Sequence, residues 1–137
     1  MFYRPIHFKL EELVSPGVFK TYGERAWEFL DDKLLREIDK VREYFDVPMT
    51  INNWHTKGTR VASGFRERGC MTGAECSQHR FGRAVDIICS IPARELRCKI
   101  MEKNRLFENI TTLEDDVEWL HMDTRPREQG TIKLIKP

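Results

Sequence analysis

Two short stretches of this 137-residue chain place imidazoles and carboxylates where they could hold a metal ion. The first is Ser77-Gln-His79-Arg-Phe-Gly82-Arg-Ala84-Val-Asp86 and the second is Glu118-Trp-Leu-His121-Met-Asp123. If Asp86 lies on a strand, Gly82, Ala84 and Asp86 project to one face, because side chains alternate with period two. The two residues preceding the carboxylate on that face are small and leave room for a metal and a substrate, and His79 can fold back over them. Catalytic zinc takes three protein ligands and keeps a fourth position for water, and two imidazoles with one carboxylate suit that ion. His79, Asp86 and His121 are the candidate ligands. Glu118, three residues before His121, is the candidate general base for the water's proton. Asp123 shares a strand face with His121 and is placed to orient its ring. Taken singly, each of these residues reads as an ordinary core or surface group, and His7 and His55 keep that reading. The grouping is what points to metal chemistry.

The elements that must carry these residues follow from periodicity and punctuation. Phe8–Val14 reads as a short helical turn stopped by Ser15-Pro16-Gly17. Trp27, Leu30, Leu34, Ile38, Val41 and Phe45 recur at three and four, predicting one core-facing helix from about 24 to 45. Met49–Asn52 reads as a short strand, and 53–78, rich in Gly, Ser, Thr and Arg, as a long irregular segment of the kind that carries function. Arg83–Cys89 is β-branched and predicts a strand. Pro92–Asn104 predicts a helix with Ser90 as its cap. Ile110–Leu113, Val117–Asp123 and Thr131–Ile135 predict strands, with Glu114-Asp-Asp116 as an acidic turn between the first two. Helices early and strands late, two of them joined by a short turn, predict an α+β fold with an antiparallel sheet and flanking helices, in one domain spanning 1–137.

Composition is that of an ordinary globular domain, 40% hydrophobic and 33% charged with a formal net charge of +1. The near-neutral charge and the lack of a recognition motif argue against nucleic acid as a partner. No apolar run is long enough to span a membrane. The N-terminus has no basic stretch followed by an apolar one, so no secretory signal is expected and synthesis in the cytoplasm is. Between His55 and Gly82, five cationic side chains (Lys57, Arg60, Arg66, Arg68, Arg80) face two acidic ones, Glu67 and Glu75. This reads either as a solvated loop or as a pocket for an anionic substrate. Cys70, Cys76, Cys89 and Cys98 form no C-x-x-C pair and are expected to be neither metal ligands nor structural disulfides.

The two metal-type segments together resemble the zinc peptidases of the Hedgehog/D-alanyl-D-alanine peptidase superfamily. Ser77, His79, Gly82, Ala84 and Asp86 match its S-x-H-x-x-G-x-A-x-D motif, Glu118-Trp-Leu-His121 its E-x-x-H motif, and Ser63-Gly-Phe-Arg66 its S-G-[YF]-R element. The N-terminal His7–Leu13 stretch is similar to the bacterial and phage cell-wall branch. The resemblance implies Zn²⁺ held by His79, Asp86 and His121, with Glu118 as base. It implies that Arg66, with Ser63, binds substrate and that Arg66 stabilises an oxyanion, with Ser77 and Asp123 as supporting residues. The implied activity is hydrolysis of peptidoglycan stem peptides by a monomeric carboxypeptidase or endopeptidase. A short chain without a signal suits a phage lysis enzyme (an endolysin released through a membrane pore) or a virion-associated protein. The same fold also admits a zinc-binding module without turnover. The 67–76 loop lacks the Asn-rich character of many members, which bears on substrate choice.

Overall fold

A computed structural model describes residues 2–128 and 130–137. Among the described residues four α-helices precede or interleave five strands: α1 Leu10–Leu13, α2 Pro16–Tyr22, α3 Asp32–Phe45, β1 Met49–Thr50, β2 Ala84–Cys89, α4 Ala93–Glu102, β3 Thr112–Glu114, β4 Leu120–Asp123 and β5 Lys133–Ile135. The strands form one sheet in the order β1-β2-β4-β3-β5. The fold is α+β, and β3 and β4 pair antiparallel across their short connection. The sheet is mixed rather than wholly antiparallel, because β5 returns to lie parallel to β3.

The predicted helix from 24 to 45 is divided. Gly23–Phe29 winds as a 3-10 helix, Leu30 and Asp31 are extended, and only Asp32–Phe45 is α-helical. The break has a partner. The Asp31 amide donates to the Gly82 carbonyl at 2.9 Å, and the Asp31 carboxylate accepts from the Thr124 hydroxyl at 2.5 Å. Apolar spacing survives the break, so Trp27, Leu30, Leu34, Ile38 and Val41 all reach the core. Asp46, left-handed at φ 50°, closes α3, and Pro48 lies just beyond it. Ser15-Pro16-Gly17 does not merely stop α1. Ser15 caps α2, its hydroxyl accepting from the Val18 amide at 3.2 Å, with Pro16 in the first turn. Pro92, rather than Ser90, is the N-cap residue of α4.

Alternation along the strands divides the sheet's two faces. Val85, Ile87, Leu120 and Met122 enter the core together with Leu34, Ile38, Leu96 and Ile100 from the helices. Ala84, Asp86, His121 and Asp123 occupy the opposite face. The register makes them partners: Ala84 lies across from Asp123 and Asp86 across from His121. Among the described residues no helix is long and apolar enough to cross a membrane.

The N-terminal segment is strapped to α3 by one buried carboxylate. Asp39 accepts from the Tyr3 hydroxyl at 2.6 Å and from the amides of Ile6 and His7 at 2.7 and 3.1 Å. The hydrogen bond to Asp39, with burial second, lifts the Tyr3 pKa from 10.0 to about 12. A phenol whose folded pKa lies above its unfolded value contributes stability that is complete below pH 10 and fades as pH rises through about 12. Tyr3→Phe should therefore cost about 1 kcal/mol at neutral pH. The gap between wild type and variant, measured by urea unfolding, should close between pH 10 and 12.

Candidate metal centre

Three elements bring the ligand-type side chains together. Asp86 stands in the middle of β2 and His121 directly across from it on β4. His79 arrives on a 3-10 turn, Gln78–Phe81, that Ser77 caps, its hydroxyl accepting from the His79 amide at 3.4 Å. All three side chains are buried, and their donor atoms lie within 4.8 Å of one another. Asp86 Oδ1 is 2.9 Å from His121 Nδ1 and 3.3 Å from His79 Nε2. Tetrahedral zinc with bonds near 2.0–2.1 Å places its ligand atoms roughly 3.3 Å apart, and the two distances from Asp86 Oδ1 fall near that value.

The remaining nitrogens are held from behind. His79 Nδ1 lies 2.9 Å from the Gly64 carbonyl, and His121 Nε2 lies 3.0 Å from Asp123 Oδ2. All four ring nitrogens thus face an acceptor, while two neutral imidazoles carry only two N–H groups. With those protons donated to Gly64 and Asp123 from the rear, the two remaining lone pairs converge with Asp86. A cation at that point resolves the surplus of acceptors. The same surplus is visible in the ionisation. Burial disfavours a charged His121, yet hydrogen bonds to Asp123 and Asp86 outweigh it and raise the pKa from 6.5 to about 9. Burial also opposes the Asp86 carboxylate, and hydrogen bonds to His121 and His79 reverse this, holding it well below the usual range. His79, Asp86 and His121 could hold a metal ion between them, with Asp123 fixing one ring from outside.

The Ser63-Gly-Phe-Arg66 element meets the cluster through its backbone as much as its side chains. The Asp86 amide donates to the Ser63 carbonyl at 2.7 Å, and the Ser63 amide donates to Asn52 Oδ1 at 2.9 Å. A Cβ on Gly64 would lie 2.3 Å from the Leu13 carbonyl oxygen, so only glycine lets this strand of chain pass. Phe65 packs against Phe29 with ring centroids 5.4 Å apart. Arg66 is buried, with Nη2 3.3 Å from Asp86 Oδ2 and Nε donating to the Ala62 carbonyl at 2.7 Å. The guanidinium therefore holds the ligand carboxylate while lining the cleft.

That cleft, about 500 Å³, is lined by Arg66, Ser77, Gln78, His79, Asp86, Glu114, Trp119, His121 and Arg125 among others. Glu118 lies outside the strand predicted for it, on an exposed turn before β4. Arg97 of α4 grips that turn, donating to the carbonyls of Val117 and Trp119 at 3.1 and 3.3 Å. Glu114, read from sequence as part of an acidic turn, is the last residue of β3 and faces the cluster. Gly82 is explained differently from its sequence reading. It is left-handed at φ 69°, and a Cβ there would lie 1.8 Å from the Phe29 carbonyl oxygen. Its size serves backbone contact, not room for a metal. Of the five cations in 55–82, Arg60 and Arg80 are engaged with backbone carbonyls of Ile51, Asp86, Ala74 and Cys70. Lys57 and Arg68 are exposed, leaving Arg66 as the one of the five at the cluster. The four cysteines are free thiols, and none belongs to the metal-type cluster.

One zinc per chain is the expected stoichiometry by elemental analysis. The His79→Ala, His121→Ala double variant should lose it, while replacement of all four cysteines by serine should leave it intact. Stoichiometric zinc retained in the histidine double variant would place the ion elsewhere.

Comparison with protein families, curated proteins and solved structures finds no match to this chain.

Proposed function

We propose that this chain is a zinc-dependent peptidase that hydrolyses peptidoglycan stem peptides. The observation that carries the reading is the convergence of His79 Nε2, Asp86 Oδ1 and His121 Nδ1 at the floor of an open cleft, each ring fixed from behind. The substrate class comes from the motif resemblance at Ser63–Arg66, Ser77–Asp86 and Glu118–His121. Zinc, when bound there, supplies Lewis-acid polarisation of the scissile carbonyl and makes water a nucleophile near neutral pH. The chain's own residues do the rest. Asp123 and the Gly64 carbonyl keep the imidazoles in the tautomer that offers a lone pair. Arg66 offers positive charge at the cleft wall, where a peptide carbonyl or terminal carboxylate can accept from its guanidinium. Glu118, on the turn that Arg97 holds, is the proposed base that takes a proton from water and returns it to the leaving amine.

A second reading, a zinc-binding module without turnover, is favoured by one observation: Glu118 is exposed and has no hydrogen-bond partner among the described residues. Mass spectra of peptidoglycan fragments before and after incubation with the zinc-loaded protein separate the two readings. New peptide termini support the peptidase, and an unchanged fragment pattern with zinc in place supports the module. In the enzyme, Glu118→Gln should retain zinc and lose roughly 10²–10⁴-fold in turnover. Arg66→Ala should lower turnover by roughly 10²–10³-fold, and lysine should rescue only part of it, lacking the planar fork. A change below about twofold in both kinetic constants would make Arg66 a purely structural partner of Asp86.

A further inference from the structure

The carboxylates around the cluster differ in how their charge is balanced. Asp86 has Arg66 at 3.3 Å. Asp123 is gripped by Arg125, with Nε 2.8 Å from Oδ1 and Nη2 2.5 Å from Oδ2, and both burial-driven cost and charge are offset there. Glu114 has neither. Its Oε2 lies 3.8 Å from His121 Nδ1, the nitrogen that points into the cluster, and no arginine or lysine of the described residues lies within ion-pair distance of it. It is half-buried in the cleft wall rather than free in solvent.

Its position is built, not incidental. β3 pairs antiparallel with β4 so that Thr112 faces Asp123 and Leu113 faces Met122, and the next step of that register sets Glu114 beside His121. β5 flanks β3 on its other side, with Ile135 opposite Glu114. Strands on both sides thus fix the backbone from which this carboxylate extends, and alternation directs it to the face that carries the cluster.

We infer that Glu114 is a positioning residue of the metal centre, supplying negative charge that no close ion pair neutralises and that raises affinity for a divalent cation. The inference rests on His79, Asp86 and His121 being the ligands. With Asp86 and Asp123 each balanced by an arginine, two neutral imidazoles bring no charge to a dication. A carboxylate a few ångströms away, screened little by water in a half-buried cleft, then matters more than a surface acid would. Glu114 is not one of the three atoms that converge. Groups just outside a metal's ligands alter affinity by about 10- to 100-fold when removed.

The test is zinc affinity, measured by competition with a chromophoric chelator, for the full chain and for Glu114→Gln and Glu114→Asp. Glu114→Gln should bind zinc about 10- to 100-fold more weakly and keep the circular dichroism and melting temperature of the zinc-free parent. Glu114→Asp, which keeps the charge on a shorter arm, should recover part of the loss. Glu114→Gln with parental affinity overturns the inference. So does aspartate binding no better than glutamine, which would make the effect one of shape. No substrate enters the measurement, so failure of the peptidase reading and failure of this one are distinguishable.

Discussion

Asp86 is the atom set on which the rest of this site depends. Its Oδ1 is shared by both histidines and its Oδ2 faces Arg66. Its amide donates to Ser63, and its carbonyl accepts from Arg60 at 3.4 Å. A buried carboxylate persists only where partners offset the loss of hydration. Each partner of Asp86 comes from a different part of the chain: a 3-10 turn, a neighbouring strand and the 60–66 loop. Neutralising this one side chain would therefore loosen three elements from one another, besides removing a candidate ligand. The constraint also runs the other way. Gly64 and Gly82 must be glycine so that the 63–66 loop and the His79 turn can press against Leu13 and Phe29 closely enough to reach Asp86.

The site and the core are two faces of the same two strands. Val85, Ile87, Leu120 and Met122 alternate with Ala84, Asp86, His121 and Asp123, so a one-residue slip in register would turn the candidate ligands into the apolar core and the core residues toward the cleft. Hydrophobic packing of the inner face thus sets the geometry of the outer one without any contact between them. A bound cation would act back on the same register, since an ion that binds only the folded arrangement stabilises it by mass action. The asymmetry is useful for function. The face that must be rigid is fixed by packing, while the cleft walls, Trp119 and the 67–77 loop, stay partly exposed.

How much of this could be read from the sequence depended on the range of the interaction. Alternation within β2 and β4 is a local property, so the shared face of Ala84 and Asp86, and of His121 and Asp123, was legible from spacing alone. Ridges at three and four in 27–45 identified the core-facing residues correctly but not the break at Leu30–Asp31. That break is made by Gly82 and Thr124, far away in sequence. Glu114 was hidden for a related reason. Three acids in a row have turn composition, and only pairing with β4 and β5 draws the first of them into a strand. The parallel placement of β5 has no local signature at all. Arg97 could not be singled out either, because its role is set by a turn twenty residues away.

Glu118 and Glu114 differ in what fixes them. Motif spacing singles out the acid three residues before a ligand, and such spacing is meaningful on a regular element, where it fixes direction. Here the regular element begins only at Leu120, so the direction of the Glu118 side chain is set by the turn and by Arg97, not by β4. Glu114 has the reverse character: it carries no motif, but two paired strands determine where it points. A residue fixed by the sheet can act through a steady field, whereas one on a turn can approach and withdraw. A standing charge that favours the cation and a mobile carboxylate that handles protons are different requirements. In the proposed reading the two requirements fall to different glutamates, and Arg97 holds the backbone carbonyls on either side of Glu118.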